Sequence, residues 1–247
     1  MLDEIFTHLP LESQKACSLV QKHWKPLCQG LILRHMNVVN IDEKGVAGFR
    51  RDVVTDIAHK LTCSLVTRQA GTKHPRSPAE VFFYDELPYF KKLVSLKLVS
   101  GRLIDLSDDF WDTKPNLQDL TLSKCTVPAD VLVNLINYFA SLQHLVLSNS
   151  RIVWESNDND SPVQSRPLQK STFDNVYTTN DDLLVTLFQG MSCKEVTIGG
   201  FVAGSTTTPP LLIRSVENGV ERLDMQLEIC MFNSSVMGTL NKATVLL

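Results

Sequence analysis

The feature that most constrains the fold of this chain is a six-residue pattern, Leu-x-x-Leu-x-Leu, which returns at near-regular intervals. Leu93–Leu98, Leu117–Leu122 and Leu142–Leu147 match it fully, and their starts are 24 and 25 residues apart. Weaker copies continue the spacing at Leu168–Phe173, Cys193–Ile198 and Val220–Met225. A fixed period of this size indicates stacked structural units. We therefore predict an α/β fold in which short parallel strands alternate with helices.

The segments between these copies carry helix signals. After Pro128, five apolar residues recur at the spacing of one helix face: Val131, Leu132, Leu135, Ile136 and Phe139. Asn180 is the predicted N-cap of a helix over 181–189, and Thr208 is the predicted N-cap of one over 209–217. The pattern thus predicts a strand, a loop and a helix in each unit.

The chain before Leu93 shows a fainter version of the same pattern. A degenerate copy begins at Leu33, with Met36 and Val38 in the following apolar positions. A predicted helix follows, with the apolar residues Val46, Phe49, Val53 and Ile57. Two polar, proline-bounded stretches, 72–78 and 155–167, are predicted to be loops.

The first thirty residues predict three short helices. Leu2, Ile5, Phe6 and Leu9 share one face of a helix that Pro10 ends. A second helix is predicted over 12–17. Ser18 is the predicted N-cap of a third helix, which Pro26 should kink and whose apolar face is Val20, Trp24, Leu27 and Leu31. Helices this short are marginal in water, so their apolar faces need cover, either from the rest of the chain or from a partner's groove.

The run over residues 2–27 resembles the F-box motif, in the version found in fungal F-box proteins. The order Ile-Phe, Leu-Pro, Leu-Val and Trp along this run carries the resemblance. It implies that the chain docks on the Skp adaptor, and through it on the cullin, of the Skp–cullin–F-box ubiquitin ligases. The adaptor-facing residues would be Ile5, Phe6, Leu9, Pro10, Leu19, Val20 and Trp24.

One part of the F-box pattern is absent from this sequence. The family usually begins with a Leu-Pro-x-Glu segment, which would lie just before Met1. A large buried apolar side chain contributes roughly 1.5–3 kcal/mol, and about 1.4 kcal/mol is a factor of ten in affinity. We therefore expect weakened adaptor binding, or a true start codon further upstream.

The later copies resemble leucine-rich repeats in their spacing and in their Leu-x-x-Leu-x-Leu core. Cys125 stands at the ninth position of its copy, which is similar to the cysteine-containing repeats common in F-box proteins. The resemblance implies an irregular solenoid of parallel strands and helices. We expect F-box helices over 1–31, linking helices and degenerate first repeats over 32–92, and the repeat solenoid over 93–247, with an insertion at 155–167.

In such strands the leucines point into the core, and the residues between them line the opposite face of the sheet. The third position of successive copies is Ser95, Asp119, His144, Lys170, Glu195 and Arg222. The fifth position is Lys97, Thr121, Val146, Thr172, Thr197 and Asp224. These columns, Ser95 excepted, are the candidate client-binding residues. Their mixed charge suits a polar protein surface or a short peptide, and the alternative is a solvated face with no partner.

Composition narrows the remaining function classes. The formal charge of −3, with basic residues scattered, argues against a nucleic-acid partner. No apolar run is long enough for a membrane span. The six cysteines form no CxxC pair and the histidines form no HExxH pattern, so we expect no metal site and no other cofactor. Widely spaced cysteines in apolar stretches indicate reduced thiols and a cytoplasmic or nuclear protein.

Enzymatic motifs are missing as well. The sequence contains no GxSxG elbow, phosphate-binding loop or GxGxxG fingerprint, so no catalytic residue is predicted. The resemblance instead implies the substrate-recognition subunit of an F-box ubiquitin ligase, with an unknown protein client on the repeats. The alternative is a non-ligase scaffold, or a decayed family copy, whose first helices only cap the solenoid.

Overall fold

The computed structural model describes residues 2–41, 62–69, 87–103, 116–153, 167–178, 192–202, 222–228 and 243–246. The helices in these ranges are α1 Leu2–Thr7, α2 Leu11–Val20, α3 Lys25–Arg34 and α4 Ala129–Tyr138, with a short 3-10 helix at Leu87–Tyr89. The strands are β1 His35–Ile41, β2 Ser64–Gln69, β3 Ser95–Arg102, β4 Asp119–Pro128, β5 His144–Ser148, β6 Arg151–Val153, β7 Pro167–Asp174, β8 Tyr177–Thr178, β9 Ser192–Val202, β10 Arg222–Glu228 and β11 Ala243–Leu246.

These strands form one sheet, in the order β1-β2-β3-β4-β5-β7-β9-β10-β11. Neighbouring strands from β1 to β10 pair in parallel, and β11 pairs antiparallel with β10. The short strands β6 and β8 extend a second parallel ladder from the end of β4. The predicted α/β architecture with a parallel sheet is therefore confirmed.

The register of the sheet follows the sequence copies. We number the residues of each copy from its first apolar residue, which is position 1. Across successive strands, position 3 then pairs with position 3, and position 4 with position 4. Leu96 lies opposite Leu120, for example, and Leu120 lies opposite Leu145. Because side chains alternate between the two faces of a strand, this register places equivalent side chains of every copy on the same face.

The core is built from the repeated apolar positions. Leu93, Leu117 and Leu142 at position 1 are buried, and so are the position-4 and position-6 residues of the same copies: Leu96, Leu98, Leu120, Leu122, Leu145 and Leu147. Burying a leucine side chain contributes roughly 1.5–3 kcal/mol. The repeated pattern thus stabilises the sheet from one face.

A recurring backbone arrangement joins five successive copies, from the one in β2 to the one in β7. The carbonyl oxygen at position 2 accepts the N–H groups of positions 2 and 3 of the following copy, at N···O distances between 2.8 and 3.1 Å. The accepting carbonyls are those of Cys63, Val94, Gln118 and Gln143. The same hydrogen bonds at the same position fix the entry of each strand into the sheet.

Position 8 of four successive copies adopts a left-handed backbone conformation. The residues are Ser100, Lys124, Asn149 and Asn175, with φ of 60°, 56°, 49° and 49°. A non-glycine residue in this region is uncommon, and asparagine tolerates it better than most. The repeated turn separates the main sheet from the second ladder, which begins at position 9.

Position 9 provides polar groups inside the core. Ser150 is fully buried, and its Oγ accepts the backbone N–H of Cys125 at 3.1 Å. Its hydroxyl hydrogen is shared between the carbonyl oxygens of Leu122 and Ser148, at 3.2 and 2.9 Å. The Cys125 thiol in turn lies 3.4 Å from the carbonyl oxygen of Ser123. Buried backbone groups near the left-handed turn are satisfied in this way.

The helix predicted after Pro128 is present as α4. Its apolar face is buried in the same core as the leucines of the sheet, as the spacing predicts, and consists of Val131, Leu132, Leu135 and Ile136. Phe139, just beyond the helix, is 1% exposed. The amphipathic period was therefore a reliable guide to this element.

The boundaries of the first helices differ from the prediction. α2 runs to Val20, so Ser18 lies inside it and donates its hydroxyl to the carbonyl oxygen of Lys15 at 2.6 Å. Ser18 is therefore not the N-cap of α3. Pro26 lies in the first turn of α3 and does not kink it, because the first turn has no helical partner for the missing N–H.

Two further details differ from the sequence-based expectation. Pro167, assigned to the 155–167 insertion, instead begins β7, and the first residue of a strand is a position at which sheets accept proline. Ser171, rather than an apolar residue, occupies position 4 of its copy. It is fully buried, and its hydroxyl donates to the Cys193 thiol at 3.3 Å. The predicted helices over 46–57, 181–189 and 209–217, the loop over 72–78 and residues 155–166 lie outside the described residues.

The parallel sheet begins earlier in the chain than Leu93. Met36 and Val38, from the predicted degenerate copy, lie opposite Leu65 and Thr67 of β2. The copy in β2 was missed, because two of its three buried positions, Thr62 and Thr67, are threonines. Both β1 and β2 belong to the same sheet as the regular copies.

Candidate functional site

The third-position residues form a continuous row across the sheet. Asp119, His144, Lys170, Glu195 and Arg222 lie opposite one another on neighbouring strands, beginning from Ser95. Adjacent strands are about 4.8 Å apart, so these side chains are close enough to interact. We call this set the third-position row.

Polar and charged side chains of this row pair with each other or with the fifth position. His144 Nδ1 lies 2.5 Å from Asp119 Oδ1, and Lys170 Nζ lies 3.6 Å from Glu195 Oε2. Arg222 Nη2 lies 3.1 Å from Asp224 Oδ2, which belongs to the fifth position of the same copy. Since most of these side chains are about half exposed, each pair contributes only about 0–1 kcal/mol to stability. Their main effect is that positive and negative charges are balanced along the row.

The fifth-position row lies beside it on the same face. Thr121, Val146, Thr172 and Thr197 are half-buried and pair in register, with the exposed Lys97 at one end and Asp224 at the other. In the described part of the chain, Asp224 Oδ1 is buried and has no hydrogen-bond partner. An unsatisfied buried carboxylate oxygen costs free energy, so a donor supplied from outside would stabilise this end of the row.

The sequence-predicted client residues are thus brought together. All of them, together with Ser95, lie on one face of one sheet, in two adjacent rows. The face is polar and nearly balanced in charge, and within the described residues no three His, Cys, Asp or Glu side chains converge as metal ligands.

The predicted adaptor-facing residues divide into two groups. Ile5 is 53% exposed, Leu19 87% and Val20 70%. Among the residues whose burial is described, five large apolar or aromatic side chains are exposed, and three of them lie within the first twenty residues. Pro10 is also exposed, and Leu9 is half-buried. Apolar surface is therefore left uncovered at α1 and at the end of α2.

Phe6 and Trp24 behave differently. Phe6 is 3% exposed and packs edge-to-face on Trp24, with ring centroids 5.4 Å apart and planes at 62°. Trp24 is half-buried by this contact. In this conformation Phe6 and Trp24 pack against each other in a small core between the short helices. The expectation that Phe6 faces the adaptor stays a prediction.

Gln14 fixes the corner between α1 and α2. Its Nε2 donates to the carbonyl oxygens of Phe6 and Leu9, each at 3.0 Å, and the side chain is buried. These carbonyls lie at the end of α1, where helical partners are lacking. Sequence periodicity did not single out Gln14, since a polar residue between apolar ones carries no signal of burial.

The structure also shows a row that the sequence analysis did not identify. Position 10 of four copies is Arg102, Thr126, Arg151 and Tyr177, and these residues pair in register in the second ladder. We call this set the tenth-position row. Nothing in the leucine pattern predicts it, because the left-handed residue at position 8 interrupts the alternation of inward and outward side chains along the strand.

The described cysteines are all free thiols, and three of them, Cys28, Cys125 and Cys193, are buried. Burial raises the pKa of the Cys193 thiol above its ordinary value, although hydrogen bonds with the Ser171 side chain and with the backbone of Ser171 and Glu195 lower it. A protonated, buried thiol is a poor nucleophile. This cysteine belongs to the core.

None of the helices in the described ranges has both the length and the apolar character needed to cross a membrane. Comparison with models of known protein families finds no family that matches this chain. A search of curated proteins likewise finds no matching sequence.

Proposed function

We propose that this chain is the substrate-recognition subunit of a Skp–cullin–F-box ubiquitin ligase. Its first helices would bind the Skp adaptor, and its sheet would hold a protein client. The observation that carries the proposal is the exposure of Ile5, Leu19 and Val20 in helices whose sequence resembles an F-box.

The exposed side chains support adaptor docking on energetic grounds. Leu19 and Val20 are adjacent at the end of α2, and both are more than two-thirds exposed. Burying a leucine or valine against a partner contributes roughly 1.5–3 kcal/mol. Each such contact therefore corresponds to about a tenfold gain in affinity or more.

The repeated contacts support a leucine-rich-repeat solenoid. The position-2 carbonyl ladder, the left-handed residue at position 8 and the buried apolar positions all recur with the same period as the sequence copies. Stacked units of this kind bury a continuous core and present an extended surface. The third- and fifth-position rows would be that client-binding surface.

The proposed mechanism is positional. A client held on the rows, on a chain anchored to the adaptor, would gain effective concentration near the ubiquitin-transfer subunits without any chemistry by this chain. The same proposal places the protein in the cytoplasm or nucleus, where thiols such as the five free cysteines of the described ranges stay reduced.

Capture of the adaptor tests the proposal. The full chain, tagged at its C-terminus, is incubated with purified Skp adaptor and the affinity is measured. Leu19→Glu and Val20→Glu should each weaken binding at least about tenfold, because each removes one apolar contact. Both residues are exposed, so neither change disturbs the core, unlike Trp24→Ala or Leu9→Glu.

Tyr177→Glu is the matched control. It also replaces an exposed apolar side chain with a charged one, but it lies in β8, far along the chain from the helices. Adaptor affinity should stay within about twofold of the parent chain, the usual small effect of surface changes. If the folded parent chain does not bind the adaptor, or if all three variants behave alike, the ligase function is refuted.

One observation favours the alternative of a scaffold with a helical cap. α3 ends at Arg34 and β1 begins at His35, so no linker separates the helices from the sheet. The Thr62 hydroxyl also donates to the carbonyl oxygen of Leu33 at 2.8 Å, which fastens α3 to the strand entry of β2. If the helices only cap the sheet, removing residues 2–24 should destabilise the sheet. The intact chain should also show no measurable binding to the adaptor.

A further inference from the structure

The uncovered apolar side chains at the end of α2 are bordered by lysines. Lys15 lies four residues before Leu19, so the two side chains are neighbours on the surface of the helix. Lys22 follows Val20 by two residues, so their Cα atoms are at most about 7 Å apart. All four of these residues are exposed. The end of α2 therefore presents an apolar patch with cationic side chains beside it.

A tight turn brings the start of α3 to the same place. The carbonyl oxygen of Gln21 accepts the N–H groups of Trp24 and Lys25, at 3.0 and 3.2 Å. Lys25, the first residue of α3, therefore lies beside the residue that follows Val20, and it is exposed. We call Leu19 and Val20 the Leu19–Val20 patch. We call the three lysines around it the lysine border: Lys15, Lys22 and Lys25.

The sequence of this region is basic. Residues 13–41 contain no aspartate or glutamate, and they include all three lysines of the border. The Lys15 ammonium lies 2.8 Å from Glu12 Oε1, so part of its charge is balanced within α2. Lys22 and Lys25 supply most of the positive charge of the border. A surface of this sign attracts a partner surface that carries carboxylates.

Helix stability does not explain the position of Lys25. The first turn of a helix carries a partial positive charge from its unpaired N–H groups, so a cation there is unfavourable. Lys25 begins α3, and the first turn of α3 contains no acidic residue. Lys22, by contrast, follows the end of α2, where a cation is favourable. Lys25 is therefore the lysine whose replacement best separates a role in binding from a role in folding.

We propose that the Leu19–Val20 patch and its lysine border dock into an apolar groove whose rim carries carboxylates. This inference rests on the proposed function, in which the partner at these helices is the Skp adaptor, and it adds the charge that the adaptor's docking surface carries. Carboxylates at the rim would attract the lysines during the encounter, and burial of Leu19 and Val20 would hold the complex together. The lysines then govern mainly the rate of association, and the apolar side chains mainly the rate of dissociation.

Surface plasmon resonance measures the association and dissociation rates of the full chain with purified Skp adaptor. The association rate of the parent chain should fall as the ionic strength rises from about 0.01 M to about 0.15 M, because the Debye length shortens from roughly 30 to 8 Å. At the lower ionic strength, Lys25→Glu should lower the association rate at least about fivefold and change the dissociation rate less than about twofold. Leu19→Glu should mainly raise the dissociation rate.

Lys91→Glu is the charge-matched control. It changes the net charge of the chain by the same amount, and Lys91 is exposed in the turn before β3, outside the lysine border. The association rate of this variant should stay within about twofold of that of the parent chain. The melting temperature of Lys25→Glu should equal that of the parent chain or exceed it, because glutamate is favourable in the first turn of a helix. This measurement separates a loss of binding from a loss of folding.

The failure of this inference can be told apart from the failure of the ligase function. An association rate that is the same at both ionic strengths would overturn the acidic rim, and so would equal losses of association rate in Lys25→Glu and Lys91→Glu. In both of these cases the adaptor still binds, so the ligase function stands. Absence of adaptor binding at either ionic strength would refute the ligase function and the acidic rim together.

Discussion

Replacing Ser150 with alanine tests whether the buried position-9 hydroxyl stabilises the fold. The Ser150 Oγ accepts the Cys125 N–H at 3.1 Å, and its hydrogen is shared between two carbonyl oxygens. The side chain is fully buried, so water does not replace these bonds. An unsatisfied buried N–H costs about 1–3 kcal/mol, and the lost donor adds about 1 kcal/mol. We expect Ser150→Ala to lower the free energy of unfolding by about 2–4 kcal/mol.

Urea denaturation followed by far-UV circular dichroism measures this loss, since a change in midpoint at constant slope reports stability. Ser148→Ala is the matched control. Ser148 is half-buried and two residues away on the same segment, and its hydroxyl is not part of this network. Its replacement should cost less than about 0.5 kcal/mol. Equal losses of unfolding free energy in the two variants would show that the hydrogen bonds of the Ser150 hydroxyl do not stabilise the fold.

Three further predictions follow from burial, backbone conformation and titration. Leu19→Glu should leave the free energy of unfolding unchanged within about 0.5 kcal/mol, because Leu19 is exposed. Phe6→Ala should lower it by about 3 kcal/mol, because removal of the ring leaves a cavity beside Trp24. Thermal melts of both variants measure these changes. Lys124→Val should cost about 1–2 kcal/mol because a β-branched residue resists φ of 56°, and Lys124→Gly should cost nothing measurable in the same melts. The raised pKa of Cys193 means that its thiol ionises at lower pH in the unfolded chain than in the fold. The contribution of Cys193 to the free energy of unfolding is therefore complete below the pKa of the unfolded chain and is lost as the pH rises above it. The urea midpoint of the parent chain should fall between about pH 8 and pH 10, and this fall should be smaller in Cys193→Ala.

The repeat period predicted the sheet because the physical signal was strong and periodic. Buried leucines at positions 1, 4 and 6 leave an unmistakable spacing, and the strand register follows from it, as the pairing of Leu120 with Leu145 shows. The copy in β2 escaped notice because Thr62 and Thr67 replace the leucines there. The Thr62 hydroxyl donates to the carbonyl oxygen of Leu33, whereas the buried Thr67 hydroxyl has no hydrogen-bond partner among the described residues. Neither environment is visible in the sequence.

The candidate surfaces were predictable only in part. The third- and fifth-position rows follow from the strand pattern, so their residues were placed together correctly on one face. The burial of Phe6 was not predictable, because a helix face shows which residues are apolar but not which of them the chain itself covers. The tenth-position row depends on the left-handed residue at position 8, and Ser100 and Lys124 give little sequence warning of that conformation.

Along the main order of the sheet each strand pairs with the strands on either side of it, and the short strands β6 and β8 pair only with β4 and with each other. A defect near β2 and another near β10 therefore share no atoms or hydrogen-bond partners, and their effects on unfolding should add. Evolution could then alter the outward side chains of one strand without re-optimising strands several places away. A protein built in this manner can acquire a new recognition surface one strand at a time.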